Sequence, residues 1–229
     1  MTQVWGRFIN EDTYEGQIDN PLTLNLYTYV HNNPLKYADP TGNKAWLIHG
    51  TFAKPTTWTD EFRDYIGGVF NELYEALKWS GKNKDEARVN AADELVVLIN
   101  DWHVKNPDEP IRLIGHSHGG NVSSMIANKL AEKGKQVDTL ITIATPVREY
   151  QLETTVGQHI NVYNNHDSVQ IYGGNVTDTT LRSFENAENV KVKLPFWRWA
   201  SAMSVSNHSY MHSNVGVWKE YIESLLKKD

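Results

Sequence analysis

The chain has no cysteine in 229 residues. That absence excludes disulfides, a thiolate nucleophile and cysteine-bound zinc, while leaving the redox character of the compartment open. Long apolar runs are missing too. No window reaches the roughly 18 apolar residues that a membrane-spanning helix needs, so membrane contact is expected to be peripheral. Nor does Met1 open a charged stretch followed by an apolar one, so no signal peptide is expected in this segment. Positive charge is in deficit. With 22 Lys and Arg against 28 Asp and Glu, the net charge of −6 argues against nucleic acid as a partner. No H-E-x-x-H or similar ligand cluster occurs, and neither a metal nor another cofactor is expected.

What is present is an ordinary apolar share of 40%, with eight tryptophans and eleven tyrosines. The length suits one sizeable domain plus an appendage. Residues 1–43 form the appendage. Leu22, Leu24 and Leu26 alternate with polar residues, and turns follow at His31-Asn32-Asn33-Pro34 and Asp39-Pro40-Thr41-Gly42. From residue 44 onward strands alternate with helices, which predicts an α/β fold with a mainly parallel sheet and helices on both faces. Strands are expected at Ala45–Ile48, Leu73–Trp79, Ile111–Ile114, Val137–Ile143 and His159–Tyr163. Helices are expected at Thr59–Phe70, Asp85–Val104, after Ser117, and at Val215–Leu226, with residues 172–206 irregular.

The apolar run Ile111-Arg112-Leu113-Ile114 stops at Gly115-His116-Ser117-His118-Gly119-Gly120 and continues as a helical pattern. A G-x-S-x-G between strand and helix is a nucleophile turn: Ser117 takes strained backbone angles, and the flanking glycines leave room for it. Its hydroxyl then stands at a helix N-terminus, where the His118 amide can face a developing oxyanion.

A serine hydroxyl needs a base, and the base needs an orienting carboxylate. Such turns carry these groups in the chain order Ser, acid, His. Asp138 precedes its strand, at the wrong end of the sheet. Asp167 follows the carboxyl end of the His159–Tyr163 strand, where catalytic groups gather, and is the candidate acid, with Asp178 in reserve. The base is His208 or His212, both in Asn207-His208-Ser209-Tyr210-Met211-His212-Ser213-Asn214. Ser213 or Asn214 can cap the last helix, which places His208 in the preceding loop and His212 against the cap, so His208 is preferred. The second oxyanion donor is expected from His49-Gly50-Thr51-Phe52, through the amide of Thr51 or Phe52.

Two resemblances extend this reading. Gly6-Arg7-Phe8-Ile9, Asn25-Leu26-Tyr27-Thr28-Tyr29-Val30, Asn32-Asn33-Pro34 and Asp39-Pro40-Thr41-Gly42 resemble the end of the Rhs/YD-repeat core, closest to the cell-wall-associated type of Gram-positive bacteria. In that family a variable toxin domain follows this motif. Asn43 stands where the family's self-cleavage motif has leucine. Residues 44–229 resemble lipase-like α/β-hydrolases through His49-Gly50, Trp79-Ser80-Gly81-x-Asn83, the Ser117 motif, Ala144-Thr145-Pro146 and Asp167-Ser168-Val169. The resemblances imply an α/β-hydrolase fold and a lipase or phospholipase toxin in a secreted or cell-surface protein, with a cognate immunity protein as partner. Other acyl hydrolases (thioesterase, amidase, peptidase) share the triad, and a non-catalytic binding module is the alternative from another class. Between acid and base, Val190 to Trp199 carries Lys191, Lys193, Phe196, Trp197, Arg198 and Trp199, which with Met203 suit either a lipid interface or a covered hairpin.

Overall fold

In a computed structural model, the chain divides into two compact units, Met1–Gly42 and Asn43–Asp229. The structure describes residues 44–70, 73–173, 182–199, 205–212 and 214–226, so the appendage, Asp178 and Met203 lie outside the described residues. Six strands form one sheet: β1 (Lys44–Ile48), β2 (Leu73–Leu77), β3 (Arg112–His116), β4 (Thr139–Ile143), β5 (Gln158–Tyr163) and β6 (Glu188–Lys191). All five pairings are parallel, in the order β2-β1-β3-β4-β5-β6. The longer helices are α1 (Asp60–Phe70), α2 (Asp85–Lys105), α3 (His118–Glu132) and α7 (Val215–Tyr221), with short α4 (Ser168–Gly173) between β5 and β6, and short α5 (Phe196–Trp199) and α6 (Val205–Ser209) between β6 and α7.

The central strands are apolar on both faces because helices cover both. Leu47, Ile114, Ile141 and Ile160 pack under Phe62 and Ile66 of α1 and Trp218 of α7. Trp46, Ile48, Leu113 and Leu140 pack on the other face under Leu95 and Ile99 of α2 and Val122 and Ile126 of α3. From β1 the chain crosses to β2 on one side and then returns to β3 on the other. The strand order therefore reverses between β1 and β3, which opens a crevice outside their carboxyl ends.

Three expectations are corrected. Residues 172–206 hold an edge strand, β6, and short helices. The β6 sequence Glu-Asn-Val-Lys exposes most of its side chains, so it lacks an apolar signature. The β2 strand ends at Leu77, and Trp79 beyond it turns in to donate its indole N–H to the His49 carbonyl at 2.8 Å. The last helix stops at Tyr221, and after Ile222 (φ −117°) a 3₁₀ turn covers Glu223–Leu225. Among the described residues no helix is long and apolar enough to cross a membrane.

Candidate active site

Strand β3 runs straight into Ser117, which adopts φ 57° and ψ −133°, a conformation that side chains rarely take. Backbone bonds over-determine it: the Ser117 amide donates to the Ile143 carbonyl at 2.8 Å, and its carbonyl accepts from Gly120 at 2.9 Å. Helix α3 then passes so close to β1 that a Cβ at Gly119 would sit 2.2 Å from the Ile48 carbonyl oxygen. Ser117 is thus fixed at the mouth of the crevice where the strand order reverses.

The loop after β1 faces it. A Cβ at Gly50 would come within 2.7 Å of Ser117 Cβ and 3.2 Å of Ser117 Oγ, so the chain approaches the serine directly. Of the two expected amide donors on this loop, Phe52 is excluded. Its N–H donates to the Gly81 carbonyl at 2.8 Å, which holds Phe52 at φ 59° with its ring 87% exposed. The Thr51 amide is left as the candidate from this side. The Thr51 hydroxyl shares a 2.7 Å hydrogen bond with Nδ1 of His118, so the two residues whose amides are the candidate oxyanion donors are joined through their side chains. His49 stacks on Trp79 and donates Nδ1–H to the Gly50 carbonyl at 2.9 Å, stiffening the loop.

On the far side of Ser117, Asp167 follows β5 and is fully buried. Its Oδ1 accepts the amides of Val169 (2.9 Å) and Gln170 (3.1 Å), capping α4, while Oδ2 accepts Nδ1–H of His208 at 2.8 Å. A carboxylate on Nδ1 fixes the neutral tautomer of His208 and leaves its Nε2 as the basic nitrogen. His208 lies on α6 instead of in a loop. That single turn, anchored by Asn207 Nδ2 on the His166 carbonyl (3.2 Å), is too short to show helical periodicity.

His212 has a different environment. Its Nδ1 donates to the Ser209 carbonyl at 2.7 Å, its Nε2 lies 3.1 Å from the Thr57 carbonyl, and its ring stacks on His116 at 4.4 Å. Both nitrogens face backbone carbonyls, and no carboxylate touches the ring among the described residues. Asp138 accepts the Ile111 amide at 2.7 Å, at the opposite end of the sheet, where it joins β3 to the start of β4. Asn214 caps α7 by accepting the Val217 amide.

Two contributors did not emerge from the sequence. His116 Nε2–H donates to the His208 carbonyl at 3.1 Å, and only the fold places this residue, 92 positions earlier, against His208. Arg88 is the other: its guanidinium is buried on Tyr150 (3.1 Å), Asn83 (3.1 Å) and Asp85, and together with Arg148 it bears on His118. Burial, with these cations adding, pushes the His118 imidazole down to about 4, and burial also holds His116 well below the usual histidine range. Both are uncharged at neutral pH. The arrangement can stabilise an anion between the Thr51 and His118 amides and move a proton at His208 Nε2.

The profile of the thioesterase domain family matches residues 57–191, more than half of the chain and a span that holds Ser117 and Asp167. No curated protein matches the chain. Among solved structures it is similar to the NocB thioesterase domain in covalent complex with a fluorophosphonate nocardicin G analogue. That likeness has 12% identity over 78% of this chain and 94% of that one, with a TM-score of 0.41. An extracellular α/β-hydrolase from a Paenibacillus species is 18% identical over 46% of this chain and 41% of that one (TM-score 0.35). A lipase-esterase related protein from Clostridium acetobutylicum is 19% identical over 48% of this chain and 44% of that one (TM-score 0.37). The chain spans less than half the length of these last two. With its parallel sheet, its serine turn and the family profile over most of the domain, the chain has the α/β-hydrolase fold and belongs to the thioesterase domain family of hydrolases.

Proposed function

We propose that residues 44–229 hydrolyse an acyl bond through a covalent intermediate on Ser117. The observation that carries the reading is the buried Asp167–His208 pair, whose imidazole lies 4.8 Å from that of His116, the residue that leads into the strained Ser117. His208 Nε2 takes the Ser117 proton as Oγ attacks the carbonyl carbon. The tetrahedral oxyanion accepts hydrogen bonds from the Thr51 and His118 amides, and His208 then gives the proton to the leaving group. Water repeats the sequence on the acyl-enzyme and releases the acid.

For the leaving group, we favour lipid esters, as in a lipase or phospholipase. Support comes from three aromatic rings exposed on loops and helices that follow β1 and β6, at the carboxyl end of the sheet: Phe52 (87%), Phe196 (82%) and Trp197 (75%). Lys191, Lys193 and Arg198 lie beside the latter two in the chain and suit anionic head groups. The family match favours a second reading, a thioester substrate. The Rhs-like residues 1–43 support a role as a toxin domain delivered by a larger secreted or surface protein, with an immunity protein as its inhibitor.

One experiment tests both levels. The chain and its Ser117→Ala variant are compared on p-nitrophenyl butyrate, an acyl thioester and phosphatidylglycerol vesicles analysed by mass spectrometry. Serine hydrolysis requires turnover that Ser117→Ala abolishes. Release of fatty acid from the vesicles supports the phospholipase, and turnover confined to the thioester overturns it.

A further inference from the structure

Both histidines that flank Ser117 are buried, and each has one partnered and one bare ring nitrogen. His116 gives Nε2–H to the backbone carbonyl of His208 at 3.1 Å, and its Nδ1 has no partner. His118 shares Nδ1 with the Thr51 hydroxyl at 2.7 Å, and its Nε2 has no partner. A buried imidazole with a bare nitrogen is less favourable for folding than an apolar side chain of similar size. The gain must lie elsewhere, and the two partners identify it: one is the residue proposed as base, the other the residue proposed as oxyanion donor.

We infer that His116 and His118 are positioning residues, His116 holding the base and His118 the oxyanion loop in register with the serine between them. This rests on the serine-hydrolase reading above. The α6 turn that carries His208 is short, and the His116 bond ties it to the strand that ends at the nucleophile. The β1 loop turns sharply at Phe52, and the Thr51–His118 bond ties it to the first residue of α3. An error of a fraction of an ångström at either place degrades transition-state geometry without changing what the pocket binds. Burial keeps both imidazoles neutral, so neither adds a positive charge beside the proposed base.

The test uses the full chain, p-nitrophenyl butyrate kinetics and the rate of Ser117 labelling by a fluorophosphonate, which needs no knowledge of the natural acyl group. Thr51→Val and His118→Leu should each lower kcat and labelling about tenfold with KM within about twofold, less than the roughly 10²–10³ expected for loss of a donor amide. Thr51→Val/His118→Leu should be no slower than the worse single variant, because both remove one bond. Thr51→Ser should recover most of the loss. His116→Leu should slow both rates similarly, and His116→Gln, whose amide nitrogen falls near the position of Nε2, should recover much of it. Thr51→Val at the wild-type rate, multiplicative losses in the double variant, or His116→Gln as slow as His116→Leu in a folded protein would overturn the inference. If His116→Leu fails to fold, the Gln and Thr51 arms decide. Turnover and labelling that survive in Ser117→Ala would instead remove the underlying hydrolase reading.

Discussion

Asp167 divides its two carboxylate oxygens between structure and the His208 imidazole. Oδ1 caps α4 through the Val169 and Gln170 amides, and Oδ2 accepts Nδ1–H of His208, 41 positions further along the chain, at 2.8 Å. Substitution can separate the two roles. Asparagine keeps an oxygen for the cap, but its amide would donate to Nδ1 and impose the wrong tautomer. Asp167→Asn should therefore fold with a melting temperature close to wild type and lose on the order of 10⁴-fold in kcat. Asp167→Ala should lose the same activity and about 1 kcal/mol more stability. Thermal melts beside steady-state kinetics distinguish these outcomes.

His208 and His212 should respond oppositely to alanine. His208→Ala removes the proposed base and should lower kcat by at least about 10³-fold. His212→Ala removes a stack on His116 and two contacts with backbone carbonyls, so its effect should be mainly on stability, about 1–3 kcal/mol in urea unfolding, with kcat reduced less than tenfold. Loss of turnover in a folded His212→Ala protein would reverse the assignment.

The difference between these histidines explains what could be read from the chain and what could not. The serine turn is written in contiguous residues, because an apolar run, two spaced glycines and a helical pattern are all local. The candidate acid follows from a local rule as well, since Asp167 lies just beyond the carboxyl end of β5. The base does not. His208 and His212 share one octapeptide, and only the path of α6 decides which ring meets Asp167. The roles of His116 and Arg88 depend on partners 92 and 62 residues away. Strand β6 was hidden for another reason: an edge strand with exposed Glu188, Asn189 and Lys191 has no apolar alternation to detect.

Exposed aromatics give a prediction about surfaces. Burying a phenylalanine or tryptophan in lipid contributes roughly 1.5–3 kcal/mol each. Phe196→Ser/Trp197→Ser should weaken cosedimentation with phosphatidylglycerol vesicles at least tenfold while leaving hydrolysis of soluble p-nitrophenyl butyrate within a factor of two. Equal vesicle binding by the two proteins would eliminate these rings as a lipid contact.

Gly50 tests the close approach of the β1 loop. An alanine Cβ there would lie 2.7 Å from Ser117 Cβ and 3.0 Å from the His116 carbonyl. Neither neighbour can yield easily, because β3 and α3 fix both. The loop must retreat instead and take the Thr51 amide with it. Gly50→Ala should cut fluorophosphonate labelling of Ser117 by roughly 10²-fold, the scale of a lost oxyanion donor, and cost about 1–3 kcal/mol of stability. Wild-type labelling would mean that Thr51 does not face the reaction.

Buried histidines also set the response to acid. His118 and His159 are pushed down to about 4 by burial, and His49, His116 and His212 are lowered in the same direction. In the unfolded chain each would take up a proton near pH 6.5, well before its folded counterpart does. The unfolded state therefore binds more protons between pH 6.5 and 4, and stability falls as pH drops through that window. His118 and His159 should each remove about 2 kcal/mol between pH 7 and pH 5. His159 is the cleaner probe, since it lies outside the proposed site and its Nε2 bonds the Thr142 hydroxyl at 3.1 Å, a contact that glutamine can replace. His159→Gln should show a pH 7 to pH 5 loss in urea-derived stability smaller than wild type by about 2 kcal/mol. An undiminished loss would mean that His159 protonation does not drive the acid sensitivity.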